Sequence, residues 1–144
     1  MIKLKVIGYV KSPLTHPGKL DCQDVVSDIV LGTEFSQGLY NIEAFSHITV
    51  LYWMNIATQG GKAVLKVHPM GNHKLPLMGV FATRSPHRPN LIGISTVELI
   101  RHVENVLTVR GLDALDRTPV LDIKPYIAEK ICPCNMKIPG WLSD

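Results

Sequence analysis

Apolar residues in this chain recur at every second position more than every third or fourth, and that period commits the chain to strands. Ile2, Leu4 and Val6 alternate with Lys3 and Lys5, which predicts a first strand ending at Ser12-Pro13. Val25 to Leu31 is a second run, stopped by Gly32. His47 to Met54 is almost wholly apolar or aromatic, as a strand buried on both faces would be. Further strands are predicted at Ala63 to Val67, Val80 to Thr83 and Pro119 to Ile123. Ile92 to Val103 and Val106 to Arg110 read as a hairpin with Glu104-Asn105 at its tip. Gly38 to Phe45 holds a short helical turn and Met70 to Met78 a loop. Seven or eight strands with little amphipathic helix make the chain mainly all-β, a barrel or a sandwich.

The 144 residues suffice for one domain with a real core. With 46% apolar and 19% charged residues, the chain falls outside the disordered class. A net charge of +3 permits an RNA partner without requiring one. The apolar runs are too short to span a bilayer, and Met1 to Lys5 lacks the apolar core of a signal peptide, so no membrane partner and a cytoplasmic location are expected. Three cysteines do not make a disulfide framework. Cys132-Pro133-Cys134 has one residue between its cysteines where zinc sites have two to four, so no metal is expected.

Four polar clusters interrupt the strands. His16-Pro17-Gly18-Lys19 follows the first strand and reads either as a plain Pro-Gly turn or as a binding turn. Asn55 closes the apolar strand. Arg84-Ser85-Pro86-His87-Arg88-Pro89-Asn90 puts two arginines, a histidine and an asparagine into a loop that Pro86 and Pro89 stiffen. Guanidinium is a rigid fork of donors suited to anions and able to stack on bases. The fourth cluster runs from Gly111 to Tyr126. Within it Asp122 and Lys124 share one strand face, as a structural ion pair or as site residues. No nucleophilic triad, P-loop or glycine-rich dinucleotide fingerprint is present.

These clusters resemble, in order, the TrmO/TsaA-like family of tRNA N6-methyladenosine methyltransferases. The pieces are Ile7 to Pro13, Gly38 to His47, Gly79 to Ser95 and Asp113 to Tyr126. The strings Arg-Ser-Pro-x-Arg-Pro-Asn and Asp-Ile-Lys-Pro-Tyr are specific to it. The resemblance implies a compact single-sheeted β-barrel over residues 1–127, with residues 128–144 as a tail packed on it or exposed. It implies a homodimer that uses S-adenosyl-L-methionine to methylate N6 of a threonylcarbamoyl-modified adenosine beside the anticodon of tRNA. The alternative is a barrel that binds a nucleotide or RNA without catalysis.

Carried over residue by residue, donor-binding positions fall on Pro17, Gly18, Lys19, Asn55, Ile56, Arg84, Ile94, Arg110, Gly111, Leu112 and Asp113. Asp113, Asp122 or Tyr126 would take the N6 proton. Arg88, Arg117, Lys124 and Lys130 flank the two signature strings and are the expected RNA contacts. The chain departs from the family at three positions. Leu91 stands where a proline is usual, Arg117 where a glycine is usual, and Asn55 where a histidine is common.

Overall fold

The computed structural model describes residues 1–18, 21–131 and 133–143. Six strands close into an antiparallel barrel in the order β1 (Gly8–Lys11), β2 (Val26–Leu31), β7 (Val106–Arg110), β6 (Ile92–Val103), β3 (His47–Trp53) and β8 (Pro119–Pro125), with β8 returning to β1. The period-two pattern explains the closure. One residue in two points inward, and these inward residues meet across each seam. Val10 pairs with Ile29, Ile29 with Leu107, Ile48 with Val97 and Val50 with Ile123. Ile29, Ile48, Val50, Leu107, Val109 and Val120 are wholly enclosed, each stabilising the fold by about 1.5–3 kcal/mol through burial. Outside the barrel, β4 (Lys66–Val67) and β5 (Met78–Gly79) form a two-stranded ribbon, so the architecture is one barrel sheet plus a small second sheet. The helices are short: α1 (Asn55–Thr58), α2 (Ala128–Ile131), a 3-10 segment at Thr33–Leu39 and single 3-10 turns elsewhere.

Several predicted elements change form. The first strand begins at Gly8. Ile7 donates its N–H to Val120 O (2.9 Å) and accepts from Gly32 N (2.9 Å). Beyond Ile7, β2 has ended at Leu31 and β8, which runs on to Pro125, pairs with β3 alone, so Met1 to Val6 has no ladder, and Ile2 and Leu4 are exposed. Val80 to Ala82 is a 3-10 turn, not a strand, because the carbonyl of Val80 accepts both the Thr83 N–H and the Thr83 hydroxyl (2.8 Å). In the predicted Ala63–Val67 strand, only Lys66 and Val67 find a partner. The β6–β7 hairpin forms as predicted, with Val103 opposite Val106 and Glu104 in the left-handed region (φ 54°).

Two bulges re-aim side chains. At Leu51/Tyr52 the β3–β8 register shifts, so that Leu51 faces Asp122 and Tyr52 faces Val120. The extra residue lets Val120 and Ile123, three apart, both face the core. Asp122 is thereby turned outward, where Lys124 Nζ lies 3.1 Å from its carboxylate. The second bulge, between Leu99 and Arg101, leaves Ile100 unpaired on the β6 edge.

Candidate functional site

The barrel is incompletely laced at one seam. β7 pairs with β6 only from Glu98 to Val103. At Gly111 the chain takes φ 91°, a value that favours glycine, and leaves β6 while Gly111 N bonds Val25 O (3.0 Å). Ile92 to Val97 therefore has β3 on one side only. Leu91 O accepts from Met54 N and Leu99 N donates to Ser46 O. Odd-numbered residues of β6 thus bond β3, and by alternation the N–H and C=O groups of Ile94 and Thr96 face the open side.

Tyr52 bridges the opening. Its hydroxyl donates to the Asp113 carbonyl (2.8 Å), and Ser95 Oγ, 3.0 Å away, donates in turn to the phenolic oxygen. Burial pushes the phenol up to about 12, with Asp113 adding to the rise and the Ser95 bond and Arg84 opposing it. The ring packs against Gly93, its partner in the β3–β6 ladder. A Cβ on Gly93 would overlap the ring, 2.7 Å from Cζ. Cys22 borders this group, and burial followed by the Asp113 carboxylate pushes its thiol up.

A cavity of about 1080 Å³ opens at this seam. From the sequence-predicted donor positions it collects Pro17, Gly18, Arg84, Ile94, Gly111 and Asp113 on its lining. Asn55 and Ile56, in α1, do not line it, although their neighbours Met54 and Ala57 do. Leu112 is fully buried in the barrel core, and Arg110 bonds Glu98 (2.8 Å) across the β6–β7 ladder. Lys19 and Cys132 lie outside the described residues.

Among the predicted proton acceptors only Asp113 is on the cavity. Asp122 is turned outward by the bulge, and Tyr126, whose N–H bonds His47 O (3.2 Å), is off the lining. Among the predicted RNA contacts only Arg88 is on it, and its guanidinium clasps the loop by donating to Thr83 O (3.0 Å) and Ser85 O (3.3 Å). Arg117, at φ 67°, Lys124 and Lys130 lie elsewhere on the surface.

The Arg loop is held firmly. Besides the Arg88 clasp, Ser85 N bonds Thr83 Oγ1, His87 N bonds Ser85 Oγ, and Val64 N bonds His87 O. Arg84 is exposed and takes part in no ion pair among the described residues. The early turn is tied to the same end of the barrel. Ser12 N bonds the Asp116 carboxylate (2.9 Å), and Asp116 N bonds Leu14 O (2.6 Å). Among the described residues the lining carries two arginines and three histidines beside one carboxylate, Asp113. Tyr52, Gly93 and Ser95 escaped the sequence reading. A tyrosine inside an apolar strand reads as core, and its role depends on a cross-strand neighbour that a single strand does not reveal.

A closed barrel with a basic cavity at an unlaced seam, offering free main-chain groups, defines a small-ligand-binding barrel with room for an anionic or nucleoside-like molecule. The chain belongs to the tRNA-methyltransferase O N-terminal domain family, whose profile matches residues 13–130. A protein of Archaeoglobus fulgidus named a probable S-adenosyl-L-methionine-binding protein is 41% identical over 150 residues, a match covering 100% of this chain and 39% of that protein. The tRNA (adenine(37)-N6)-methyltransferase of Escherichia coli is 35% identical over 133 residues, covering 84% of this chain and 56% of that one. A crystal structure of TrmO from Pseudomonas aeruginosa superposes with a TM-score of 0.78 at 28% identity, covering 98% of this chain and 62% of that one. The chain spans less than two thirds of each of these three proteins.

Proposed function

We propose that this chain binds S-adenosyl-L-methionine in the seam cavity and transfers its methyl group to N6 of an adenosine in tRNA. The observation that carries this reading is the convergence of three unlike features on one cavity: main-chain groups at Ile94 and Thr96 and a guanidinium at Arg84 that are unpartnered among the described residues, and the carboxylate of Asp113. The reactants present matching chemistry: the donor offers a base edge for main-chain groups and a carboxylate for an arginine, and the acceptor offers an N6–H for the aspartate. The volume of about 1080 Å³ lies just above the range of ordinary ligand cavities, roughly 300–1,000 Å³, so the donor fits.

When bound, the donor supplies an electrophilic methyl group on a sulfonium, and transfer is an in-line displacement governed by positioning. The chain's residues supply that positioning. The proline-stiffened loop holds Arg84, and the Tyr52 hydroxyl fixes the main chain at Asp113. That Asp113 lines the cavity while Asp122 and Tyr126 do not supports Asp113 as the acceptor of the N6 proton.

The acceptor is a threonylcarbamoyl-modified adenosine beside the anticodon. The protein is cytoplasmic and works as a homodimer. The barrel domain ends near residue 127, with the remaining residues a tail. The E. coli relative's name and the excess of cationic lining residues support an RNA substrate.

Calorimetry with S-adenosyl-L-methionine, followed by transfer of a labelled methyl group to tRNA, tests the reading. Arg84→Ala is expected to weaken donor binding by about ten- to a hundredfold, as the loss of one charged hydrogen-bond partner does, while melting as wild type does. Unchanged affinity in the folded variant overturns the site. Binding without transfer would favour the non-catalytic barrel.

A further inference from the structure

We propose that Phe81 is the stacking platform for the nucleobase that the enzyme methylates. The inference rests on the methyltransferase reading and adds a second binding position to its cavity. Phe81 is 76% exposed, yet it lines the cavity together with Arg84, Met70 and Ile92.

An exposed phenyl ring is ordinarily mobile, but the backbone beneath this one is fixed. Val80, one residue before, is buried to 1% and its N–H bonds Leu65 O (2.9 Å). Its carbonyl takes both the N–H and the hydroxyl of Thr83, and Arg88 clasps Thr83 O. A rigid mount for an unburied aromatic ring contributes little to folding, since the ring covers little of the core. It does suit a partner that arrives from outside.

The surroundings select the class of partner. Two arginines, Arg84 and Arg88, face the single carboxylate that the described residues place on the cavity wall, which favours an anionic partner. A base in RNA reaches a methylating site only after leaving its stack, and it then sits against an aromatic or apolar wall. Every nucleobase offers a π-face to such a ring, with a contribution that alanine substitution reads as roughly 5- to 150-fold in binding. The volume of about 1080 Å³ exceeds the ordinary single-ligand range and leaves space for a base beside the donor. Tyr126, the aromatic residue nearest the signature strings in sequence, is not on this wall.

Wild type, Phe81→Ala and Phe81→Trp separate the possibilities. The measurements are donor affinity by calorimetry, kcat and KM for transfer to tRNA, binding of the same tRNA without donor, and mass by light scattering. Phe81→Ala is expected to lose about 10- to 100-fold in kcat/KM for tRNA and to weaken tRNA binding, while its donor affinity stays within twofold. Phe81→Trp is expected to stay within about threefold of wild type throughout. Full tRNA activity and binding in Phe81→Ala overturns the platform. So does an equal loss of donor affinity, which would place Phe81 in the donor site, or a change in mass accompanying the loss, which would make it a contact between copies. If wild type binds no donor, the methyltransferase reading fails by itself, and equal tRNA binding by wild type and Phe81→Ala still overturns the platform.

Discussion

Replacing Tyr52 with phenylalanine removes one oxygen atom and unfastens the seam. The ring still fills its place over Gly93, so packing is preserved and the loss is confined to hydrogen bonds. The Asp113 carbonyl loses its donor at 2.8 Å, and Ser95, buried to 9%, loses its acceptor at 3.0 Å. At about 1 kcal/mol net for each bond, the variant is less stable by about 2 kcal/mol. For a chain of this length that is a fall in melting temperature of roughly 6–8 °C. Alkaline pH supplies an internal control. The folded phenol is raised to about 12 by burial, from about 10 in the unfolded chain. The raised group stabilises the fold fully below pH 10, and that contribution drains away as pH rises through 12. Two pH units correspond to about 2.7 kcal/mol, the cost of charging a buried phenol, and wild type alone bears it. Urea melts of wild type and Tyr52→Phe at pH 7 and at pH 11.5 should therefore differ clearly at the first and converge at the second. Equal stability at pH 7, or a gap that persists undiminished at pH 11.5, refutes the argument.

Other expectations follow from the same geometry. Gly93→Ala drives a methyl into the Tyr52 ring and should cost about 1–3 kcal/mol in urea melts, together with donor affinity. An alanine variant of wild-type stability would mean that the ring moves freely. Arg117 holds φ 67°, where a non-glycine residue pays roughly 1–2 kcal/mol against about 0.5–1 kcal/mol of extra chain entropy for glycine. Arg117→Gly should therefore leave stability equal or raise it by about 1 kcal/mol, and a marked fall in the melt would contradict the strain. His102 points both ring nitrogens at acceptors, Glu43 Oε2 (3.0 Å) and Glu104 O (2.8 Å), and this arrangement favours the imidazolium. The Glu43 bond raises the His102 pKa, while the Glu43 backbone bond and then His102 lower that of Glu43. The latch is complete between the unfolded values of about 4.3 and 6.5. It is lost as pH falls through the folded Glu43 value or rises through the folded His102 value. An NMR titration should place His102 above its ordinary midpoint and Glu43→Gln should bring it down; an unshifted midpoint in wild type would sink the latch.

Period two made the barrel legible because each inward residue is a local fact. Val10, Ile29, Leu107 and Val109 announce themselves by alternation. The N-terminal strand was overextended because alternation states a preference and cannot state whether a neighbour exists to pair with Met1 to Val6. Val80 to Ala82 read as a strand because the Thr83 hydroxyl that tightens it into a turn acts through geometry. In the site, Arg84, Asp113 and the Pro17-Gly18 turn were found through motif strings. Asp122 was misleading because a single bulge inverts the face on which it lies. Tyr52 stayed hidden for the opposite reason, since nothing in an apolar string distinguishes the ring that fills space from the ring that also ties two strands together.

The unlaced stretch from Ile92 to Val97 makes the barrel resemble a zipper stopped a few teeth short of its end. A molecule lodged there, bonded to Ile94 and Thr96 on one side and to the chain at Asp113 on the other, would act as the absent teeth. Occupancy would then tighten the entire circuit of strands, because in a closed ring slack at one seam is shared by all six. Amide hydrogens far from the cavity, on β2 and β8, should exchange more slowly once the ligand is in place. The barrel would thus register its cargo around its whole girth.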